Sequence, residues 1–277
     1  MPARSPHHDG GRARVTALRR VARWLGVGLG LYLALAYLVL PALWRHHEHL
    51  PGMATMPTVT STSDEHPGDP LNVALVGTET DVQRAFAAAH WFPADPITLR
   101  SSLEIAESVV LHRPDLDAPV SNLFLFGRHQ DLAFEQEVSA SARERHHVRF
   151  WRTPLRADGD RPVWIGSAAF DRSAGLSHTT GQITHHIAAD VDAERDTVMR
   201  DLGKAGWLTT LYDVTGIGPT LNGRNGGGDR YFTDGELAVG VLARGGVGDQ
   251  PPPQRLPSPT PVVIKNQFWQ WLRPALE

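Results

Sequence analysis

The 277-residue chain contains no cysteine, which excludes disulfides, thiolate metal sites and a cysteine nucleophile together. Cysteine-free chains occur on either side of a membrane, so this absence sets no compartment. Excess positive charge is also missing: 27 Lys and Arg stand against 30 Asp and Glu, a net charge of −3. Binding nucleic acid through its phosphates needs a basic surface, so no nucleic-acid partner is expected. There is no low-complexity bulk, and 41% hydrophobic against 21% charged residues is enough for a real core. Several short signatures are absent too. The chain has no His-Glu-x-x-His and no Gly-x-Ser-x-Gly elbow, and its glycine-rich loop lacks the Lys-Ser/Thr that ends a P-loop. Acyl transfer and nucleotide hydrolysis are therefore discounted.

One long apolar run is present. Residues 25–43 carry no charge, and at 1.5 Å per residue such a run spans about 28 Å, close to the hydrocarbon thickness of a bilayer. Trp24 and Trp44 bracket it, as suits the two membrane interfaces. The run is longer than the apolar region of a signal peptide and ends in a poor cleavage sequence, so it reads as an uncleaved anchor. Arg4, Arg12, Arg14, Arg19, Arg20 and Arg23 precede it against Asp9 alone. That bias predicts a cytoplasmic N-terminus and an extracytoplasmic bulk. Gly26, Gly30 and Ala34 repeat as small-xxx-small, a spacing that suits a homodimer contact, although small residues are also simply common in membrane helices.

The expected organisation is a basic cytoplasmic segment over 1–23, a transmembrane helix over 24–44 in contact with the lipid bilayer, and a linker rich in Pro, Thr and Ser over 45–70. One α+β domain follows over 71–244, then a Pro-rich spacer and amphipathic tail over 245–277. Within the domain, a strand at 73–76 leads into a helix capped by Thr78 with Asp81. A second helix is expected from Leu99, strands near 123–126, 132–137, 147–152, 163–170 and 183–187, a helix from Asp192 to Lys204, and strands near 211–214 and 237–242. Gly127 to Gln130 and Asp158-Gly159-Asp160 suggest hairpins. The fold class is α+β: a single N-terminal transmembrane helix, then one mixed domain with a largely antiparallel sheet and about three helices. In the tail, Ile264, Phe268, Trp271 and Leu272 share one helix face, which suits either a closing helix on the domain or the membrane interface.

Chemistry concentrates in two histidine-rich stretches. His178, His185 and His186 fall just before the acidic run Asp190, Asp192 and Glu194, and a second pair, His146-His147, is followed by Arg149 and Arg152. Strand alternation sends adjacent histidines to opposite faces. The expected polar face takes His147, Arg149 and His186 with His178 from the preceding loop, leaving His146 and His185 as hydrogen-bonded core histidines. The opposite pairing fits the same alternation. Three readings compete for this face. One is a divalent metal site drawing on His147, His178, His186 and a carboxylate such as Asp171, Asp190 or Asp192. The second is an anion site in which Arg149, Arg152 and the histidines meet the loop from Gly223 through Asn225 to Asp229. The third is structural, with polar groups that merely satisfy one another.

An ordered series of motifs carries a resemblance. It includes Pro70-Leu-Asn-Val-Ala-Leu-Val-Gly77, Trp91-Phe-Pro-Ala-Asp-Pro-Ile97, Ala118-Pro-Val-Ser-Asn-Leu-Phe-Leu-Phe-Gly-Arg128, His146-His-Val-Arg-Phe-Trp-Arg152, the histidine stretch and Gly223-Arg-Asn-Gly-Gly-Gly-Asp229. Over roughly 69–242 the chain resembles the LssY-type C-terminal domain family. The resemblance implies a bacterial protein of the cell envelope, with secretion or envelope proteins as partners. It assigns no reaction and no catalytic residue. The expected role is an accessory or ligand-binding component at the inner membrane, with a hydrolase using the His face as the alternative.

Overall fold

In the computed structural model, residues 9–40, 49–94, 123–138, 144–178, 183–215, 223–246 and 250–276 are described. The chain forms two units, Met1–Glu48 and His49–Glu277. The first contains α1, Asp9–Ala34, which runs into a π-helical turn at Leu35–Val39. Ala17–Val39 is long and apolar enough to cross a membrane, and none of it is buried in protein. The helix begins well before the apolar run, because the Arg-rich segment ahead of it is helical as well. The far end of the expected span, including Pro41 and Trp44, lies outside the described residues.

The second unit is organised around one nine-stranded sheet. Its centre is β3, Val73–Val76, buried on both faces as an unbroken apolar tetrapeptide should be. On one side β3 pairs in parallel with β13, Glu236–Leu242, which continues to β10, Leu208–Thr215, and β14, Gln254–Arg255. On the other side it pairs antiparallel with β8, Arg161–Leu176. That long strand forms a hairpin with β7, Arg145–Ala157, which continues to β6, Leu132–Glu137, and β4, Phe92–Pro93. Beyond β3, the far half of β8 pairs with β9, Ile183–Ile187. Parallel pairing is confined to β3–β13 and β10–β14, so the sheet is largely antiparallel, as expected. Two further strands, β1, Val59–Thr62, and β2, Pro67–Pro70, form a small sheet with β5, Leu123–Phe124. Strands β11, Gly223–Arg224, and β12, Arg230–Tyr231, form a separate hairpin.

Among the described residues, three α-helices serve this unit: α2, Glu79–Ala88; α3, Val191–Lys204; and α4, Thr260–Leu272. Thr78 and Asp81 close α2 with a reciprocal capping box. Helices α2 and α3 pack on one face of the sheet, where Phe86 stacks on Phe134 at 4.2 Å and Val198 and Leu202 join Val148 and Phe150. Both helices end alike. His90 and Gly206 take positive φ, and the following Trp91 and Trp207 donate backbone N–H groups to Phe86 and Leu202. This left-handed C-terminal turn drops each indole into the core.

Three segments differ from their sequence-based reading. The stretch expected as a linker over 45–70 supplies β1 and β2, and its Met53 is fully buried beside Leu50 on the second face of the sheet. Pro67 and Pro70 sit at the two ends of β2, where a missing N–H costs little, so the Pro-rich composition concealed a strand. The spacer after 245 includes β14, which adds a parallel edge to β10. Gly127–Gln130 does not join β5 to β6 as a hairpin, since β5 pairs with β1 and β6 with β7. The helix expected from Leu99 lies outside the described residues.

Candidate metal centre

The site forms where β9 meets the β11–β12 hairpin. Segment 229–232 runs along the outer edge of β9: the Ile187 N–H donates to Asp229 Oδ2 at 3.2 Å, and the Phe232 N–H donates to the Ala189 carbonyl. Local chemistry shapes the loop that presents Asp229. The Asn225 Oδ1 accepts the Asp229 N–H at 2.9 Å, Gly228 at φ 87° closes the turn, and its N–H goes to the Asn225 carbonyl. With those N–H groups committed inside the loop, the glycine run serves as a hairpin turn. Gly223 is pressed against Tyr231, where an added Cβ would lie 2.1 Å from the ring. The Asn225 side chain also donates to Asp69 Oδ1 at 3.2 Å, tying the hairpin to β2.

Three ligand-type side chains converge here. His186 Nδ1 is 2.8 Å from Asp229 Oδ1, and His178 Nε2 is 3.7 Å from the same oxygen. The two imidazole rings are 5.0 Å apart between centroids, and the three donor atoms lie within 4.8 Å of one another. Donors held about 2.0–2.1 Å from a tetrahedral metal stand roughly 3.3 Å apart, a value that the 2.8 and 3.7 Å separations bracket. The Ile187 N–H occupies Asp229 Oδ2, so Oδ1 is the oxygen left for an ion. Asp229 is buried, His186 half-buried, and the His178 side chain 66% exposed, so the group opens to solvent on the His178 side. The backbone holds that side too, because the His178 N–H donates to the Gly227 carbonyl.

His147 goes elsewhere. On β7 it pairs with Ala169, while His186 on β9 pairs with Ser173, so β8 lies between them. The expectation of His147 and Arg149 beside His186 is replaced by two separate carboxylate centres. Around Asp171, His147 Nδ1 lies 3.1 Å from one oxygen and His185 Nδ1 lies 3.7 Å from the other. Arg145 Nε donates to Asp171 at 3.0 Å and its Nη1 to Glu135 at 3.1 Å. Burial would push the Asp171 carboxyl up, but His147, His185 and Arg145 hold it well below the usual carboxylate range. Arg149 is buried on the same face, beside a void of about 60 Å³. His146 points to the helices, its Nδ1 2.7 Å from Glu194 of α3, as a hydrogen-bonded core histidine. Arg152 is exposed on β7, and its backbone N–H donates to Asp131; it does not join the triad.

A third polar centre forms around Asp192 of the acidic run. Asp192, one residue inside α3, is fully buried and accepts hydrogen bonds from Thr233 Oγ1, the Asp234 N–H, Arg195 Nη1 and Trp269 Nε1. Burial, opposed by the Arg195 charge, pushes its carboxyl up to about 6. Arg195 also reaches Asp234 and lies at the wall of a cleft of about 860 Å³ between α3, β10, β14 and α4. The cleft is lined by opposed charges, including Arg255, Arg273, Asp213 and Glu236. The acidic run drew attention to Asp192, and the Asp192/Arg195 spacing on one helix face is the hint of its first partner.

No curated protein and no solved structure matches this chain. One family model does, and it covers residues 53–237, starting at the buried Met53 and ending in β13. That match takes in β1 to β12, the His178–His186–Asp229 group and the Asp171 centre. The chain belongs to the family described as LssY C-terminus.

Proposed function

We propose that this protein is a membrane-anchored, ligand-binding domain whose working site is a divalent metal ion held by His178, His186 and Asp229. The observation that carries the reading is the convergence of those three donor atoms within 4.8 Å. Two imidazoles and one carboxylate suit zinc or ferrous iron, and three protein donors leave a coordination position for water or an exogenous ligand. The open position also supports the second reading, hydrolysis by a metal-activated water at the same ion.

The arginine bias before the span supports a cytoplasmic N-terminus, with the domain in the extracytoplasmic part of a bacterial envelope, acting as an accessory to envelope or secretion proteins. The test is metal analysis of the full chain purified in detergent and reconstituted with zinc. Stoichiometric zinc in the parent chain, lost in His186→Ala and His178→Ala with folding intact, supports the reading. Parent protein that retains no zinc overturns it.

A further inference from the structure

Helix α4 is fastened to the domain by its polar groups and leaves its apolar stripe outside. Val262 and Trp269 are buried, the Trp269 indole N–H donates to Asp192, the Lys265 ammonium lies 2.7 Å from Glu236, and Arg273 pairs with Asp190. These anchors fix the rotation of the helix. Ile264, Phe268 and Trp271, at i, i+4 and i+7, then point outward with 60%, 60% and 74% of their surface exposed. Eight large hydrophobic side chains are exposed on the described residues of the domain, and four of them, these three and Val263, belong to this one helix. The helix thus closes on the domain by its polar side, and most of its apolar stripe is left uncovered. A contiguous apolar patch maintained by rigid polar fastening marks an interaction surface.

We propose that this stripe seats α4 in the headgroup zone of the bilayer to which the chain is tethered. Val39 closes the membrane-spanning helix and His49 opens the domain. Ten residues reach at most roughly 35 Å, so the tether keeps the domain at high effective concentration beside any bilayer that the first helix crosses. Aromatic rings on an amphipathic helix favour the boundary between acyl chains and headgroups. The helix itself carries Lys265 and no Asp or Glu, so anionic lipids meet no like charge along it. In this pose Asn266, Trp269 and Gln270 bring the wall of the large cleft next to the headgroups.

The cysteine-free chain permits a clean test. Single cysteines replacing Phe268 or the exposed Arg156 of β7 are labelled with an environment-sensitive fluorophore in the full chain. Each variant is reconstituted into phosphatidylcholine–phosphatidylglycerol vesicles containing lipids brominated high on the acyl chain. An interfacial helix sinks roughly 5–10 Å, so the label at 268 should be quenched at least about twofold and the label at 156 left unchanged. Equal quenching at both positions overturns the proposal. So does an unquenched label at 268, including one shielded by a second copy and revealed by its dependence on protein-to-lipid ratio.

Discussion

The indole N–H of Trp269 donates to Asp192 Oδ2 at 3.1 Å across 77 residues of sequence, joining the last helix of the domain to the start of α3. A buried carboxylate that loses a donor keeps its desolvation cost. Trp269→Phe preserves most of the ring volume and removes that donor, so it should lower unfolding stability by about 1.5–3 kcal/mol. Denaturant unfolding of the full chain in detergent measures it, and an unchanged midpoint would show that the bond contributes nothing.

The two buried aspartates should titrate with opposite sign. The folded carboxyl of Asp171 lies below its unfolded value of 3.8, so its stabilisation is complete above about pH 4 and is lost as the pH falls through the folded value. Asp192 is raised to about 6, so protonation favours the folded state, and its contribution declines as the pH rises from about 4 to 6, by on the order of 3 kcal/mol. Carbon-detected NMR of the side-chain carboxyls separates them: Asp192 should titrate near 6, with Asp171 still ionised well below the ordinary range. Coincident midpoints would contradict the two environments.

Asp171→Asn removes the charge that faces the buried Arg145, His147 and His185. Removing one partner of a buried ion pair costs up to about 3–5 kcal/mol, and Arg145 keeps its second partner Glu135, so this variant should be destabilised at neutral pH by no more than that amount. It should also show a shallower loss of stability in acid. Parent-like stability across the pH range would remove Asp171 as the centre of that face.

Gly223→Ala tests the hairpin that presents Asp229 without touching a ligand. The new methyl would lie 2.1 Å from the Tyr231 ring, so the hairpin must shift. Zinc affinity should fall roughly 10–100-fold, the range seen when support for a metal ligand is lost, as read by competition with a chromophoric chelator. Unchanged affinity would detach the hairpin geometry from the site.

Much of the frame was legible from the residues. The run Val73–Val76 gave a strand buried on both faces, Thr78 with Asp81 gave a helix cap, and Asp158-Gly159-Asp160 gave the β7–β8 turn with positive φ at all three positions. Alternation correctly separated the two histidines of each pair. It could not reveal that β8 lies between β7 and β9, a matter of sheet order set by contacts distant in sequence, and so His147 was grouped with His186. The Asp229 partnership was hidden for the same reason: 43 residues separate it from His186. Strands β1 and β2 escaped because their Pro, Thr and Ser content resembles a linker until they pair. For the stripe of α4 periodicity left two roles open, packing or the membrane interface, and it could not show that Trp269, Lys265 and Arg273 fix the helix by its other side.

The most direct test of the metal centre is anomalous diffraction from zinc-loaded crystals collected on both sides of the zinc absorption edge. One strong peak is expected about 2.0–2.2 Å from a nitrogen of His178, a nitrogen of His186 and Asp229 Oδ1. A zinc-loaded structure with no peak among these three residues, and with His186 still hydrogen-bonded to Asp229 at 2.8 Å, would contradict the account.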